Sequence, residues 1–214
     1  DDEGEQEARY QRAAAIAEAA VKALPDEANS HYRHAFALGR YSQKLSIAKA
    51  LKMGLAGKVR QSLDNALELD PKHAEAHTAL ALYHAEIIGK IGALIGGMTY
   101  GAKAADADKH IKTALKLTPD SPIAHVEHGN MILLLQGDKG EDAAASAYEK
   151  AAKLKPKDAM EALDARFARE AEVVGRLLEN ADGGAIALGG GSVLSERVRE
   201  ALARHTVVLL EIDA

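Results

Sequence analysis

A chain of 214 residues with formal net charge −5, no cysteine, no tryptophan and only two phenylalanines has room for one repeat array, or for one domain and a fragment. The lack of cysteine excludes disulfides and thiolate metal sites, and mixed charges exclude the basic footprint of a nucleic-acid binder. No run approaches the roughly 18 apolar residues that span a bilayer, and a core of mostly Ala and Leu suits close-packed helices.

The first predicted element is an Ala-rich helix over about residues 9–24 that ends in "AVKALP", at Pro25. The phrase recurs as "ALELDP" at Pro71, "ALKLTP" at Pro119 and "AAKLKP" at Pro156, at intervals of 46, 48 and 37 residues. Each is the end of an amphipathic helix stopped by proline, which lacks the N–H and cannot continue the helix. Between these stops the pattern predicts helical pairs. "HYRHAFALGRYSQ" is followed by "VRQSLDNALELDP", and "HTALALYHAEI" by "DADKHIKTALKLTP". The intervening "LKMGLAGK" and "GALIGGMTYGAK" read as the ends of lengthened first helices with longer connections. In the shortest interval Gly129, Ala144 and Ala151 let two antiparallel helices approach, and Tyr148 fills the gap between repeats.

This pattern resembles the tetratricopeptide repeat, whose period is about 34 residues, over roughly residues 9–165. The fold it implies is mainly α, a helical-hairpin solenoid of about three pairs occupying residues 1–168. One pair cannot bury its apolar face alone, so stacking creates a continuous core and a concave groove. Aligned from the prolines, the first helices place Asn29, Tyr32, Arg40, Glu75, Thr78, Glu86 and Asn130 on that groove. The expected ligand is a protein or an extended peptide, bound without catalysis; a small polar solute is the alternative, and an ordinary solvated face is the plain reading of such residues.

Nine histidines are many for this length, and six fall in the first helices: His31, His34, His77, His84, His125 and His128. His31, His77 and His125 hold equivalent repeat positions. Pairs at i,i+3 or i,i+4, as in "HYRH" or at His73 and His77, share a helical face. Zinc needs three or four ligands, so the expectation is packing between helices rather than metal binding. "GGMTYGAK" nearly fits a phosphate loop, but Ala102 stands where lysine is required and Lys103 comes one residue late. With no strand before it, it reads as a capping turn in an insertion. "GLAGK" at 54–58 reads the same way, and no cofactor is expected.

The last segment, "REAEVVGRLLENADGGAIALGGGSVLSERVREALARHTVVLLEID", changes character. Apolar runs Ala185–Leu188 and Val207–Ile212 flank a glycine triplet and a helix. Three glycines after a buried strand mean close backbone approach or positive φ. The segment resembles an internal piece of shikimate kinase, and the resemblance implies that Gly189, Gly190 and Gly191 approach the shikimate ring. The family's phosphate loop, early acidic pair and arginine-bearing lid have no counterpart in the sequence. "RFARE" is one residue out of step with its arginine motif, so no role passes to Arg169 and phosphoryl transfer is not expected. Residues 169–214 are expected to be a joining remnant, or a short βαβ-like unit that caps the repeats through Leu177, Leu178 and Val198. A chain beginning at Asp1 is compatible with a cytoplasmic location, or with a periplasmic one after removal of a signal peptide. The sequence does not set the oligomeric state.

Overall fold

The computed structural model describes residues 3–159, 161–163, 165, 166 and 168, and these form helices, turns and short loops with no strand among them. The chain is mainly helical. α1 spans Glu3–Ala23, starting earlier than the sequence pattern suggested, and α2 spans Ala28–Gln43. A short α3, Ile47–Lys52, precedes α4, Leu55–Leu69. α5, Ala74–Ile91, is followed by α6, Ala93–Tyr100, and α7, Ala104–Leu117. α8, Pro122–Gln136, turns through a 3₁₀ stretch, Gly137–Gly140, into α9, Glu141–Lys153.

The prolines sit where the sequence put them, just beyond α1, α4, α7 and α9. The starts that follow carry their own signals. Pro122 opens α8, where its missing N–H costs nothing. The ring of His73 caps α5, its Nδ1 accepting the Ala76 N–H at 3.3 Å, and Ser46 Oγ caps α3 by accepting the Lys49 N–H. The two insertions are not extensions of the first helices. Each is a separate short helix: the chain leaves α2 at Lys44–Ser46 and α5 at Gly92 (φ 81°), and a left-handed turn at Gly54 or Gly101 (φ 64° at both) then separates the insert from the second helix. Only glycine adopts that conformation cheaply.

α2 packs on α4, α5 on α7 and α8 on α9, and these pairs follow one another through α4 against α5, α5 against α8 and α7 against α8, while α1 covers α2. The core is correspondingly serial. Ala14, Ala17, Leu38, Tyr41 and Leu55 fill the first layer; Ala35, Leu63, Ala66, Ala76 and Leu80 the second; Ala107, Ile111, Val126, Ile132, Tyr148 and Ala151 the third. Alanine dominates because the helix axes are close. At Gly129 an added Cβ would stand 2.6 Å from Tyr148 Cε1, so α8 meets α9 through bare backbone lying against an aromatic ring.

First helices of successive pairs run in the same direction. Near its start α2 places Tyr32 against His73, with ring centroids 4.9 Å apart, and at its end Gln43 Nε2 donates to Glu86 Oε1 at 3.0 Å. Gly89, late in α5, meets Leu134, late in α8. Both short inserted helices, α3 and α6, therefore leave the stack at the same end.

Candidate functional site

A single local device recurs at the start of each pair. His31 Nε2 donates to the carbonyl oxygen of Pro25 at 2.7 Å, His77 Nε2 to Pro71 at 3.1 Å and His125 Nε2 to Pro119 at 2.9 Å. Proline ends the preceding helix, and the ring closes the turn that follows by taking up a carbonyl that has no helical partner. The sequence placed these three histidines at equivalent positions and assigned them to packing; their donor role was not foreseen.

The residues expected to line a groove fall at the start of α2, α5 and α8 or within these helices. Asn29 and Arg40 are exposed, and Tyr32 is half-buried. Arg40 lies over the Phe36 ring, 5.2 Å from its centroid, and Arg33 lies 5.4 Å from that of Tyr32. Tyr32 and Phe36 stand side by side at 6.2 Å, and Phe36 is 44 % exposed. Burial raises the Tyr32 phenol above its ordinary range; Arg33 opposes this, while Glu75 of α5 and Glu127 of α8 reinforce it. Glu75 Oε2 is 3.2 Å from His73 Nδ1, an atom that caps α5 when neutral and donates to Glu75 when protonated. Glu86 is held by both Gln43 and Lys90. Thr78 is turned inward, donating to the Ala74 carbonyl of its own helix. Asn130 accepts from the Tyr148 hydroxyl at 2.7 Å and donates to Glu127 at 2.9 Å, so it braces α8 against α9. Phe36, absent from the expected set, lies one turn from both Tyr32 and Arg40, a spacing the sequence already contained.

Further imidazoles gather between α5 and α7. His77 Nδ1 and His110 Nδ1 are 2.8 Å apart, and the His84 and His110 rings are stacked at 6.2 Å. With the Nε2 proton of His77 committed to Pro71, its neutral ring has only a lone pair at Nδ1, so His110 must carry the shared proton. His84 is completely buried; its Nδ1 accepts the Lys103 N–H at 3.3 Å and its Nε2 has no partner among the described residues. His125 Nδ1 is also buried without a partner among the described residues. Burial, followed by His77 and His84, pushes the His110 pKa down to about 4. Burial also lowers those of His84, His128 and His34, the last bonded to Ser62 of α4 at 2.9 Å. No group of three or more His, Cys, Asp or Glu among the described residues could hold a metal ion.

The two near-phosphate segments are mostly helical, with Gly54 and Gly101 as left-handed caps. Gly96 and Gly97 lie inside α6, and Gly57 lies in the first turn of α4. Gly189, Gly190 and Gly191, Arg169, the two apolar runs and the proposed capping residues Leu177, Leu178 and Val198 all lie outside the described residues. Among the described residues, no helix is long and apolar enough to cross a membrane.

Comparison with known proteins divides the chain. Residues 1–90 match the family model of regulator of microtubule dynamics protein 1-3, and residues 146–214 match that of shikimate kinase. The chain has a shikimate-kinase-like C-terminal segment. It is 53 % identical over 46 residues to the shikimate kinase of Rhodococcus jostii, a stretch covering 22 % of this chain and 27 % of that enzyme. The enzyme of Mycobacterium avium is 60 % identical over 45 residues, 21 % of this chain and 25 % of the relative. The chain thus spans about a quarter of the length of the curated relatives it matches. No solved structure gives a significant match. The shikimate kinase match begins inside α9, two residues before Tyr148, and so overlaps the last helical pair.

Proposed function

We propose that the helical part is a non-catalytic interaction module of the tetratricopeptide type, taking an extended peptide of a partner protein on the face of α2, α5 and α8. In this reading residues 1–168 are the repeat domain and residues 169–214 a shikimate-kinase-like fragment of βαβ form. The observation that carries it is the Tyr32–Phe36–Arg40 stripe. It offers an exposed aromatic ring beneath a guanidinium, opposite the carboxylates of Glu75, Glu86 and Glu127. Aromatic and arginine side chains together are the usual anchors of a binding face, and the carboxylates suit a ligand with cationic groups. Selection of peptides from a displayed random library on the full chain tests this. Enriched sequences should bind the wild type and lose binding to Phe36→Ala and Arg40→Glu; no enrichment, or affinities untouched by both variants, refutes it.

The 53–60 % identity to two shikimate kinases favours one other reading, an incomplete ATP:shikimate phosphotransferase. A coupled assay with ATP, magnesium and shikimate decides it: the interaction reading expects no turnover above background, and shikimate-dependent ADP release would replace it. A small-solute repeat protein is the remaining alternative, which calorimetry against a solute panel would reveal.

A further inference from the structure

The end of the stack where α3 and α6 emerge has an unusual chemistry. α6 packs on α5 at Gly96, where an added Cβ would lie 2.9 Å from Ile87 Cγ2, and folds back on its own exit at Gly97, where one would lie 3.5 Å from the Ala102 carbonyl. With the small residues facing inward, the large ones face outward. Leu94 is 76 %, Ile95 58 % and Met98 82 % exposed. At the same end, α3 exposes Ile47 and Leu51, one turn apart. Scattered exposed leucines are ordinary; several large apolar side chains on two short helices at one end of the stack are not.

Within the two insertions the charges are equally one-sided, whereas the third connection at the same end holds Asp138, Glu141 and Asp142 and α1 brings Glu7 to Lys49 of α3. The chain is net acidic, yet it has no Asp or Glu from Lys44 to Leu63, nor from Ile87 to Ala105. Those stretches are the two insertions with their flanks. Lys49 pairs with Glu7, and Lys90 with Glu86. Lys44, Lys52, Lys58 and Lys103 are exposed and form no ion pair among the described residues.

We propose that the two insertions are a docking edge for an anionic phospholipid surface: the apolar side chains of α3 and α6 enter the interface while the lysines within and beside these insertions meet headgroup phosphates. Apolar insertion combined with basic residues is the general physics of reversible interfacial binding. The two helices are too short to bind alone, and the parallel first helices bring them to one end. A surface covered by another copy of this chain would ordinarily balance its lysines with carboxylates, and these stretches contain none.

The test is flotation of the full chain with large vesicles of phosphatidylcholine alone or mixed with phosphatidylglycerol. The chain should float with the anionic vesicles, not with the neutral ones, and float less as salt is raised. Leu94→Ser combined with Met98→Ser should lower the partition coefficient by at least roughly ten-fold, and Lys52→Gln or Lys103→Gln by roughly five-fold each, with circular dichroism unchanged. Failure to float with anionic vesicles overturns the proposal, as does flotation indifferent to these substitutions. A self-associating chain that Leu94→Ser with Met98→Ser makes monomeric, without vesicle binding, assigns the edge to a second copy and overturns it too. None of these readouts depends on the peptide-binding face.

Discussion

The Nε2–H of His31 closes on the carbonyl oxygen of Pro25 at 2.7 Å, six residues back along the chain, and the same bond is remade at His77 and His125. Three bonds of one form, each at the junction between a helix stopped by proline and the next helix, make this the structural signature of the repeat. His31 is itself buried. His31→Ala should therefore lower unfolding free energy by about 1–2 kcal/mol, since it removes the bond together with the buried ring that makes it. Urea denaturation measures it; a loss under a few tenths would show that the bond is dispensable.

Gly129 and Tyr148 give a steric prediction. Gly129→Ala should destabilise by about 1–3 kcal/mol through overpacking, because the new methyl would fall 2.6 Å from the Tyr148 ring. Pairing it with Tyr148→Leu should return part of that loss, as coupled neighbours do not add. Thermal melts of the two single variants and the double decide it; simple additivity would show that the ring moves aside freely.

Acid should loosen the stack between α5 and α7. A histidine whose folded pKa is depressed contributes stability while neutral, above its unfolded value, and that contribution is lost as pH falls through the folded one. For His110 the window runs from 6.5 down to about 4. His77 and His84 of α5, Lys109 of α7 and Arg60 of α4 all disfavour its charged form. Asp106 and Asp64 favour protonation of the adjacent His84, against the opposition of Arg60 and Lys103. Urea midpoints should fall across this window, and His110→Gln should flatten the slope there. Parallel profiles for variant and wild type would rule out His110 as a source of that slope.

Phe36 separates binding from stability. It is exposed, so Phe36→Ala should change the unfolding free energy by no more than about 0.5 kcal/mol while abolishing recognition of selected peptides. A large stability loss would make the ring structural and remove it from the binding face.

The overlap of the shikimate kinase match with α9 yields a truncation test. A chain stopped after residue 145 loses Ala147, Tyr148 and Ala151, all buried, and should show a weaker, broader melt. One stopped after residue 168 retains them, along with Ala165 and Ala168, which are also buried, and should melt cooperatively. Equal melts would mean that the last pair contributes nothing to the stack.

The helical pairs were legible because proline is an unambiguous stop and four stops recur in one phrase. Gly129 and Tyr148 were legible as a close approach because only glycine admits a ring so near. The short helices α3 and α6 were not. Their apolar runs continue the preceding helix in periodicity, and the breaks at Lys44–Ser46 and at Gly92, with its φ of 81°, are backbone turns that this periodicity does not display. On the candidate face, Tyr32 and Arg40 could be placed by alignment from the prolines. Asn130 and Thr78 share that register, yet their polar groups are taken up by Tyr148 and by the Ala74 carbonyl, competition that no local window displays. The pairing of His77 with His110 spans 33 residues and depends on how two helices are rotated, which composition does not encode.

The parallel course of α2, α5 and α8 has a consequence for how this chain can change. Every connection from a first helix to its second opens at one end of the stack, so added length there lies outside the layers and shifts no neighbour's register. Two of the three connections already hold a guest helix, and the third holds only Gly137–Gly140. That tight turn is the vacant slot: a foreign helix or tag spliced between Gln136 and Glu141 should be carried by the scaffold as α3 and α6 are.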